Sequence, residues 1–320
     1  MTVKPEDKIS VSVIMPTRNR AALLEDALDS ILKQNFAGQF ELIVVDDGST
    51  DSTANLLRRI QKERGMRLRF VSQPNRGPAS ARNRGLDLAR GEIVAFTDDD
   101  CEAAPDWLEK ISSGYESDPM LAGTGGQTFP AEKGNIFSRF LDFCVMRKPC
   151  QEDNGMILYI LTNNCSFRKA MIEDVGRFDE KIPVPGGEDV DLCMKLRDKG
   201  CHFSYTPEAR VVHHHLVTTR GFVRMCLNYG QGEVIRLRHF SRTYKIMRTL
   251  WWGRVVLAWV WIPVKAYQFW RREAKASDAF LFAILNWLKR MISYLGGFRA
   301  WRYIVSKDKD QILEGSIGHV

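Results

Sequence analysis

Several features that identify a class of protein directly from its sequence are missing from these 320 residues. The seven cysteines include no C-x-x-C pair, which argues against a disulfide framework or zinc site and favours reduced thiols in a cytosolic protein. No internal repeat or low-complexity segment is present. Met1 to Lys8 contain no apolar run, so we expect no secretory signal.

Long apolar runs are also missing. Val255–Val264 and Ala279–Leu288 are uncharged runs of ten residues, whereas about 20 residues are needed to cross a bilayer. Runs this short suit helices of a core or of a membrane interface. The chain is 44% hydrophobic and 27% charged, which is typical of a folded globular protein.

Charge is distributed unevenly along the chain. From Arg236 onwards there are 16 Lys/Arg and 5 Asp/Glu, a net charge of +11, together with seven of the eight tryptophans. The first 235 residues hold 30 basic and 34 acidic residues, a net charge of −4. We therefore expect two domains, 1–235 and 236–320, with a membrane or a nucleic acid as the partner of the basic one.

Strand-like and helical patterns alternate over the first hundred residues. The patterns predict strands over 9–15, 40–45, 68–71 and 92–97, and helices around Leu24–Leu32, over 52–64 and over 79–90. Alternation at this spacing implies right-handed crossovers and a mostly parallel sheet flanked by helices.

Asp98, Asp99 and Asp100 follow the last of these strands. Three adjacent carboxylates repel one another where water is partly excluded, and a hard divalent cation removes that penalty. A solvated acidic turn is the alternative. Because open α/β sheets bind ligands beyond the carboxyl ends of their strands, we predict a metal site here.

A second acidic turn, Asp46-Asp47-Gly48-Ser49, follows the strand over 40–45. It can be a helix N-cap and turn, or a nucleotide site where a carboxylate accepts a hydrogen bond from a base or a ribose. Pro16-Thr17-Arg18-Asn19 ends a further strand. Three polar strand ends are thus expected to converge on one edge of the sheet.

Four segments, in this order and spacing, together resemble family 2 of the glycosyltransferases. They are VSVIMPTRN at 11–19, VVDDGSTD at 44–51, GPASARN at 77–83 and FTDDD at 96–100. The resemblance covers residues 9–235 and implies the GT-A fold, a Rossmann-like α/β architecture. It also implies a nucleotide-sugar donor and inversion at the transferred sugar.

The resemblance further implies a nucleotide site and a metal site. The implied nucleotide-binding residues are Pro16, Thr17, Arg18, Asp47, Arg82 and Asp98, with Asp47 at the base and Asp98 near the ribose. Asp100 would hold Mg²⁺ or Mn²⁺, which stabilises the departing diphosphate as a Lewis acid. Asp99 would point to the other face of a continued strand, and its role stays open.

Glu188 and Asp189 open a further predicted helix, after two glycines. Acidic residues in a first helical turn stabilise the helix dipole, which is a purely structural alternative. The resemblance implies that Asp189 is the general base that deprotonates the acceptor hydroxyl. Glu188 would orient Asp189 or the acceptor.

Residues 208–215 alternate like a strand and end in three histidines, which favours neutral imidazole near a metal. The resemblance implies that His213 is a further metal ligand. His215 shares its face if the strand continues and is the second candidate.

The segment Gly123-Thr124-Gly125-Gly126 is not a G-x-G-x-x-G loop, which excludes a dinucleotide site. We expect a bend before a strand, with Gly125 and Gly126 letting the backbone approach a bound sugar. Asn163 and Asn164 resemble a segment beside the acceptor site in this family. A polar turn before a helix at Ala170 is the alternative for both asparagines.

Tryptophans interleaved with Lys and Arg in residues 236–320 are typical of helices that lie in a membrane interface. A helical cap packed on the catalytic domain is the alternative. No nucleic-acid-binding module is recognisable, so nucleic acid is not the expected partner. We predict a peripheral protein on the cytoplasmic face of the membrane.

The predicted function is metal-assisted transfer of a sugar from a nucleotide-diphosphate sugar, UDP-sugars being favoured, to a hydroxyl of a glycan or lipid-linked acceptor. The Q-x-x-R-W motif and long spans of processive synthases are missing, so we expect single-sugar transfer. A sugar-phosphate nucleotidyltransferase is one alternative, although its Gly-rich basic loop is not found near the first strand. A non-catalytic membrane scaffold is the other.

Overall fold

Two compact units make up the chain in the computed structural model. One contains residues 1–183 and 188–215, the other residues 184–187 and 216–320. The structure describes residues 9–64, 67–132, 134–146, 150–152, 154–182, 185–214, 218–238, 258–271 and 275–317.

The first unit is built on a mixed eight-stranded sheet. Its strands are β1 (Ile9–Thr17), β2 (Gln39–Asp46), β3 (Leu68–Ser72), β4 (Ile93–Thr97), β5 (Cys101–Ala103), β6 (Leu121–Pro130), β9 (Asn164–Arg168) and β10 (His202–His213), and β7 (Cys150–Gln151) and β8 (Ile157–Tyr159) form a separate pair. The order is β3-β2-β1-β4-β9-β6-β10-β5. Strand β9 is antiparallel to β4 and β6, and β5 is antiparallel to β10. The other neighbours are parallel, which confirms the predicted mostly parallel α/β sheet.

Helices flank this sheet and form the second unit. In the first unit they are α1 (Ala21–Leu32), α2 (Thr53–Arg64), α3 (Pro78–Leu88), α4 (Trp107–Ile111), α5 (Ile136–Leu141), α6 (Lys169–Asp174) and α7 (Glu188–Asp198). In the second unit they are α8 (Thr219–Arg238), α9 (Ile262–Arg271) and α10 (Ala276–Ile317). The boundary predicted at residue 235 falls within α8. Among the helices described, none combines the length and the apolar character required to span a membrane.

Both faces of the sheet are buried. Alternation along β1 sends Val13 and Met15 into a core with Leu28 of α1, and Ile14 into a second core with Leu86 of α3. A strand buried on both faces reads as a continuous apolar run, which is why β1, β2 and β4 are visible in the sequence. Acidic turns follow the carboxyl ends of β2 and β4, and a basic, polar turn with Arg18 and Asn19 follows that of β1.

The glycine-rich segment 123–126 is not the bend that the sequence predicts, because it lies inside β6. Gly123 pairs with Phe167 and Gly125 with Cys165 across the β6–β9 ladder. A Cβ on Gly125 would lie 2.8 Å from Ile160. Tight packing against Ile160, in the loop between β8 and β9, therefore accounts for the glycine at this position.

Candidate active site

The ends of β1, β2 and β4 meet at one edge of the sheet, as predicted from the sequence. Thr17, the last residue of β1, pairs with Asp46, the last residue of β2. Asn19, with φ of 55°, accepts a hydrogen bond at Oδ1 from the Thr50 N–H, at 2.7 Å. This bond fixes the turn after β1 to the turn after β2. Pro16 and Thr17 belong to β1, and Arg18 follows it as an exposed residue.

Asp47 is buried at this edge and held by the loop before α3. Its Oδ1 accepts hydrogen bonds from Gln73 Nε2 at 2.8 Å and the Arg76 N–H at 2.9 Å, and its Oδ2 accepts one from the Gly77 N–H at 2.8 Å. In the amide orientation that its surroundings satisfy, Asn75 donates a fourth hydrogen bond, to Asp47 Oδ2 at 2.9 Å, so the roughly four lone-pair positions of this carboxylate are filled. Residues 73–77 were missed as part of the site, since only the fold brings them to Asp47.

Arg82 of α3 connects the two carboxylate motifs. Its Nη2 donates to Asp98 Oδ1 at 3.0 Å and its Nη1 donates to Glu188 Oε1 at 2.8 Å. Only 4% of the residue is exposed. Burial alone would lower the pKa of the guanidinium, but Asp98 and Glu188 outweigh it and raise that pKa. Arg82 is thus a buried permanent cation that neutralises an acidic cluster.

Asp189 lies in the first turn of α7, beside Glu188, and both are buried. The Asp189 Oδ1 accepts a hydrogen bond from the Val190 N–H at 2.8 Å. Burial and the neighbouring Glu188 raise the pKa of Asp189 to about 7, against the opposing effect of Arg82. A carboxyl group with a pKa near the working pH is suited to general base catalysis.

Asp100 and His213, the two residues predicted to hold a metal, lie side by side. The distance from His213 Nε2 to Asp100 Oδ1 is 2.9 Å. The contact follows from topology, because β10 pairs with β5 so that His213 lies opposite Cys101, and the His214 N–H donates to the Asp100 carbonyl. Burial disfavours the imidazolium of His213, but the Asp100 carboxylate outweighs it and raises the pKa of His213.

The residues at this place fit a divalent cation. Ligand atoms of Asp100, Cys101 and His213 lie within 4.8 Å of one another. Burial and the neighbouring Asp100 raise the pKa of the Cys101 thiol well above its usual value, so this group is a neutral thiol and a poor ligand. A carboxylate with one imidazole remains, and carboxylate oxygen suits Mg²⁺ and Mn²⁺. His215 lies outside the described residues.

Arg20 is a site residue that sequence reasoning missed. Its Nη2 lies 3.5 Å from Asp100 Oδ2 and its Nε lies 3.7 Å from Asp99 Oδ1. Burial and the charge of Asp100 raise the pKa of Asp99 to about 7. Asp99 thus has the Arg20 guanidinium as its neighbour. The Thr-Arg-Asn-Arg sequence at the end of β1 could have indicated that a basic side chain lies beside the aspartates.

The side chain of Asn164 makes structural hydrogen bonds inside the protein. Its Oδ1 accepts a hydrogen bond from Trp107 Nε1 at 2.8 Å, and its Nδ2 donates to the carbonyls of Gln127 and Ala209, both at 3.0 Å. A Cβ on Gly126 would lie 2.5 Å from Asn164 Oδ1. The structure therefore uses Gly126 and Asn164 to join β6, β9 and β10, whereas the side-chain amide of the neighbouring Asn163 has no hydrogen-bond partner among the described residues.

A mixed sheet with acidic turns at one edge and a second carboxylate pair at the start of a helix is the arrangement of the GT-A fold. Residues 12–175, just over half of the chain, match the model of "Glycosyl transferase family 2". The chain therefore belongs to glycosyl transferase family 2. Both the family and the fold predicted from the sequence are confirmed.

Curated relatives and solved structures agree with this assignment. A pre-mycofactocin glycosyltransferase of Mycobacterium tuberculosis is 29% identical over 268 residues, which cover 79% of this chain and 53% of that protein. The chain thus spans about half the length of this relative. A Campylobacter jejuni protein named as a GalNAc(5)-diNAcBac-PP-undecaprenol beta-1,3-glucosyltransferase is 38% identical over 135 residues, 41% of each chain.

Two solved structures share the fold at low identity. A mannosyltransferase from Pyrobaculum calidifontis in complex with GDP-Man and Mn²⁺ gives a TM-score of 0.57 at 20% identity, over 98% of this chain and 83% of that one. Residues 1–349 of S. aureus TarS in complex with UDP give a TM-score of 0.54 at 21% identity, over 92% of each chain.

Proposed function

We propose that this protein is an inverting glycosyltransferase, which moves a sugar from a nucleotide-diphosphate sugar to a hydroxyl of a glycan or lipid-linked acceptor. The observation that carries the proposal is the pair of hydrogen bonds from Arg82, to Asp98 at 3.0 Å and to Glu188 at 2.8 Å. Through these bonds one buried cation joins Asp98, which would face the donor, to Glu188, which would lie on the acceptor side. UDP-sugars are the favoured donors.

The donor side of the proposed site is the edge formed by β1, β2 and β4. Asp47 would accept a hydrogen bond from a nucleobase N–H in exchange for one of its loop donors, such as Asn75, with Pro16, Thr17 and Arg18 beside it. Asp98 would face the ribose. Asp100 and His213 would hold Mg²⁺ or Mn²⁺, which when bound would supply a Lewis acid for the charge of the leaving diphosphate. Mn²⁺ in the Pyrobaculum structure supports this choice.

The acceptor side is the start of α7. The acceptor oxygen would attack the sugar C1, forming the new C–O bond while the bond from C1 to the phosphate oxygen breaks on the opposite face. The hydroxyl proton would pass to Asp189, whose raised pKa makes it a competent base. Glu188, held by Arg82, would position the acceptor or Asp189. Attack opposite to the leaving group inverts the configuration at C1.

A thermal-shift screen of nucleotide sugars tests the donor proposal. With Mn²⁺ present, one UDP- or GDP-sugar is expected to raise the melting temperature by several degrees, because a ligand at 100 times its Kd stabilises the native state by about 2.7 kcal/mol. The matched control is the same sugar with a chelator instead of Mn²⁺. A screen in which no nucleotide sugar raises the melting temperature would contradict the proposal.

The second unit is proposed to bind the cytoplasmic surface of a membrane. On α9, Val264, Tyr267 and Trp270 are exposed, whereas Phe269 on the other face is buried. Trp261 is 61% exposed just before this helix. Aromatic side chains beside cations such as Arg271 are typical of helices at a membrane interface. Trp251 and Trp252 lie outside the described residues.

Replacing Trp261, Tyr267 and Trp270 together with serine is expected to lower binding to anionic lipid vesicles at least tenfold. The reason is that each exposed aromatic ring gains roughly 1.5–3 kcal/mol when it leaves water. Co-sedimentation with phosphatidylglycerol vesicles measures the effect, and Gln268→Ser, an exposed change on the same helix, is the control. A triple variant that sediments like the unchanged protein would refute the membrane proposal.

A further inference from the structure

Gly186 and Gly187 come directly before Glu188 and Asp189, the acidic pair at the start of α7. Their φ angles are 107° and 116°, in the left-handed region that glycine adopts without steric cost. A residue with a side chain would be strained at either position. The backbone path by which the chain enters α7 is therefore set by these two glycines.

Helix α8 packs closely against this glycine pair, within the second unit. A Cβ on Gly187 would lie 2.8 Å from the Gly232 backbone, and a Cβ on Gly232 would overlap the carbonyl oxygen of Gly186. A Cβ on Gly186 would in turn overlap the Tyr229 ring. Backbone therefore meets backbone at this contact, and neither side has room for one additional methyl group.

The Asp189 side chain is held only by a local hydrogen bond. Among the described residues, its carboxylate accepts one hydrogen bond, from the N–H of Val190, which is its own neighbour in the chain. Glu188, by contrast, is anchored by Arg82 at 2.8 Å. The position of the Asp189 carboxylate thus depends on how α7 begins, and α7 begins from the segment that α8 contacts.

We infer that α8 positions the proposed base through Gly232, an inference that rests on the proposed glycosyl transfer. Gly232 is a positioning residue, because it contacts the Gly186-Gly187 segment, which continues covalently into Glu188 and Asp189. A side chain at position 232 would displace the start of α7, and displacement of a catalytic group by about 1 Å can reduce the rate about 10²-fold. The second unit therefore contributes to catalysis as well as to the proposed membrane binding.

Gly230 provides a matched control on the same helix. It is buried like Gly232, but a Cβ on Gly230 would overlap the carbonyl oxygen of Ser293 in α10. Gly230→Ala and Gly232→Ala each add one methyl group to a crowded glycine of α8, so both are expected to lower the melting temperature. Only Gly232→Ala disturbs the segment before the proposed base.

The first experiment measures release of UDP from UDP-glucose, with water in place of the acceptor hydroxyl, and binding of UDP with Mn²⁺ by calorimetry. We expect Gly232→Ala to lower kcat at least tenfold while KM and UDP affinity stay within about twofold, since β1, β2 and β4 form the donor edge. Gly230→Ala should keep kcat within about twofold of that of the unchanged protein. If Gly232→Ala does not fold, Tyr229→Ala, which removes the ring against Gly186 and adds no atoms, replaces it in every measurement, with an expected loss of at least about threefold.

A double-mutant cycle distinguishes positioning from a general loss of structure. In the Asp189→Asn background the base is already lost, so adding Gly232→Ala should lower kcat by less than about twofold. A general structural defect would lower kcat by the same factor in both backgrounds. That outcome, an unchanged kcat in Gly232→Ala, or an equal fall in Gly230→Ala would overturn the inference.

Hydrogen exchange gives a second readout that needs no activity. The amides of residues 188–194 should exchange at least tenfold faster in Gly232→Ala than in Gly230→Ala, because the first turn of α7 loses its support. Equal exchange in the two variants would overturn the inference. If the unchanged protein releases no UDP from UDP-glucose, this result counts against the proposed function, and the exchange experiment still decides whether α8 positions the start of α7.

Discussion

Replacing Asp189 with asparagine is expected to reduce turnover by roughly 10²–10⁴-fold, the usual contribution of a positioned general base. Asparagine has nearly the same shape but cannot take the proton from the acceptor hydroxyl. Nucleotide binding should be unchanged, because the donor edge is formed by β1, β2 and β4. Initial rates at saturating donor, with UDP binding measured by calorimetry on the same sample, separate the two effects.

Asp198→Asn is the control for this experiment, since Asp198 is an exposed carboxylate on the same helix. Its turnover should match that of the unchanged protein. The melting temperature of Asp189→Asn should be equal or higher at pH 8, because a carboxyl group whose pKa is raised by burial costs stability once it ionises. Turnover in Asp189→Asn like that of the unchanged protein would remove Asp189 from the mechanism.

The pH dependence of the unchanged protein follows from the same carboxyl group. A base must be deprotonated to act, and the pKa of Asp189 is raised to about 7. The value of kcat/KM should therefore fall about tenfold per pH unit below pH 7 and level off above it. A profile that stays flat down to pH 5 would contradict the assignment of this group as the base.

Replacing Asp100 with alanine is expected to abolish the part of UDP binding that depends on Mn²⁺. Asp100 supplies the carboxylate of the proposed metal pair, and a single imidazole from His213 holds a hard cation poorly. We expect the Mn²⁺-dependent gain in UDP affinity, measured by calorimetry with and without a chelator, to shrink at least tenfold. Residual binding should come from the nucleotide contacts alone.

The matched control for Asp100→Ala is Asp118→Ala. Asp118 also lies 2.8 Å from a histidine, His202, but this pair is exposed on the surface. Removing it should leave Mn²⁺-dependent binding of UDP unchanged. If Asp100→Ala binds UDP with the same dependence on Mn²⁺ as the unchanged protein, the metal does not bind at Asp100.

Most strands of the parallel half of the sheet could be predicted from the sequence, because each is buried on both faces and reads as an apolar run. Strands β1, β2 and β4 end within two residues of the predicted bounds. Strand β9 could not be predicted, since Asn164-Cys165-Ser166-Phe167-Arg168 has no such pattern. Its neighbours β4 and β6 provide its hydrogen bonds, and those partners are far away in the chain. Residues 130–158 show no clear period, and their elements, among them α5 and the paired strands β7 and β8, are too short to leave one.

The sequence by itself determined the family, the order of the first elements and the kinds of side chain at each strand end, because these follow from local periodicity and from motifs of adjacent residues. Only the tertiary structure decided which of those side chains meet. Arg82 reaches Glu188 across 106 positions, and His213 reaches Asp100 because β10 returns beside β5. It also separated two adjacent asparagines that the sequence treats alike, since the side chain of Asn164 makes three hydrogen bonds whereas that of Asn163 has no hydrogen-bond partner among the described residues. Contacts of this kind depend on how the chain crosses over itself, and no local pattern encodes that path.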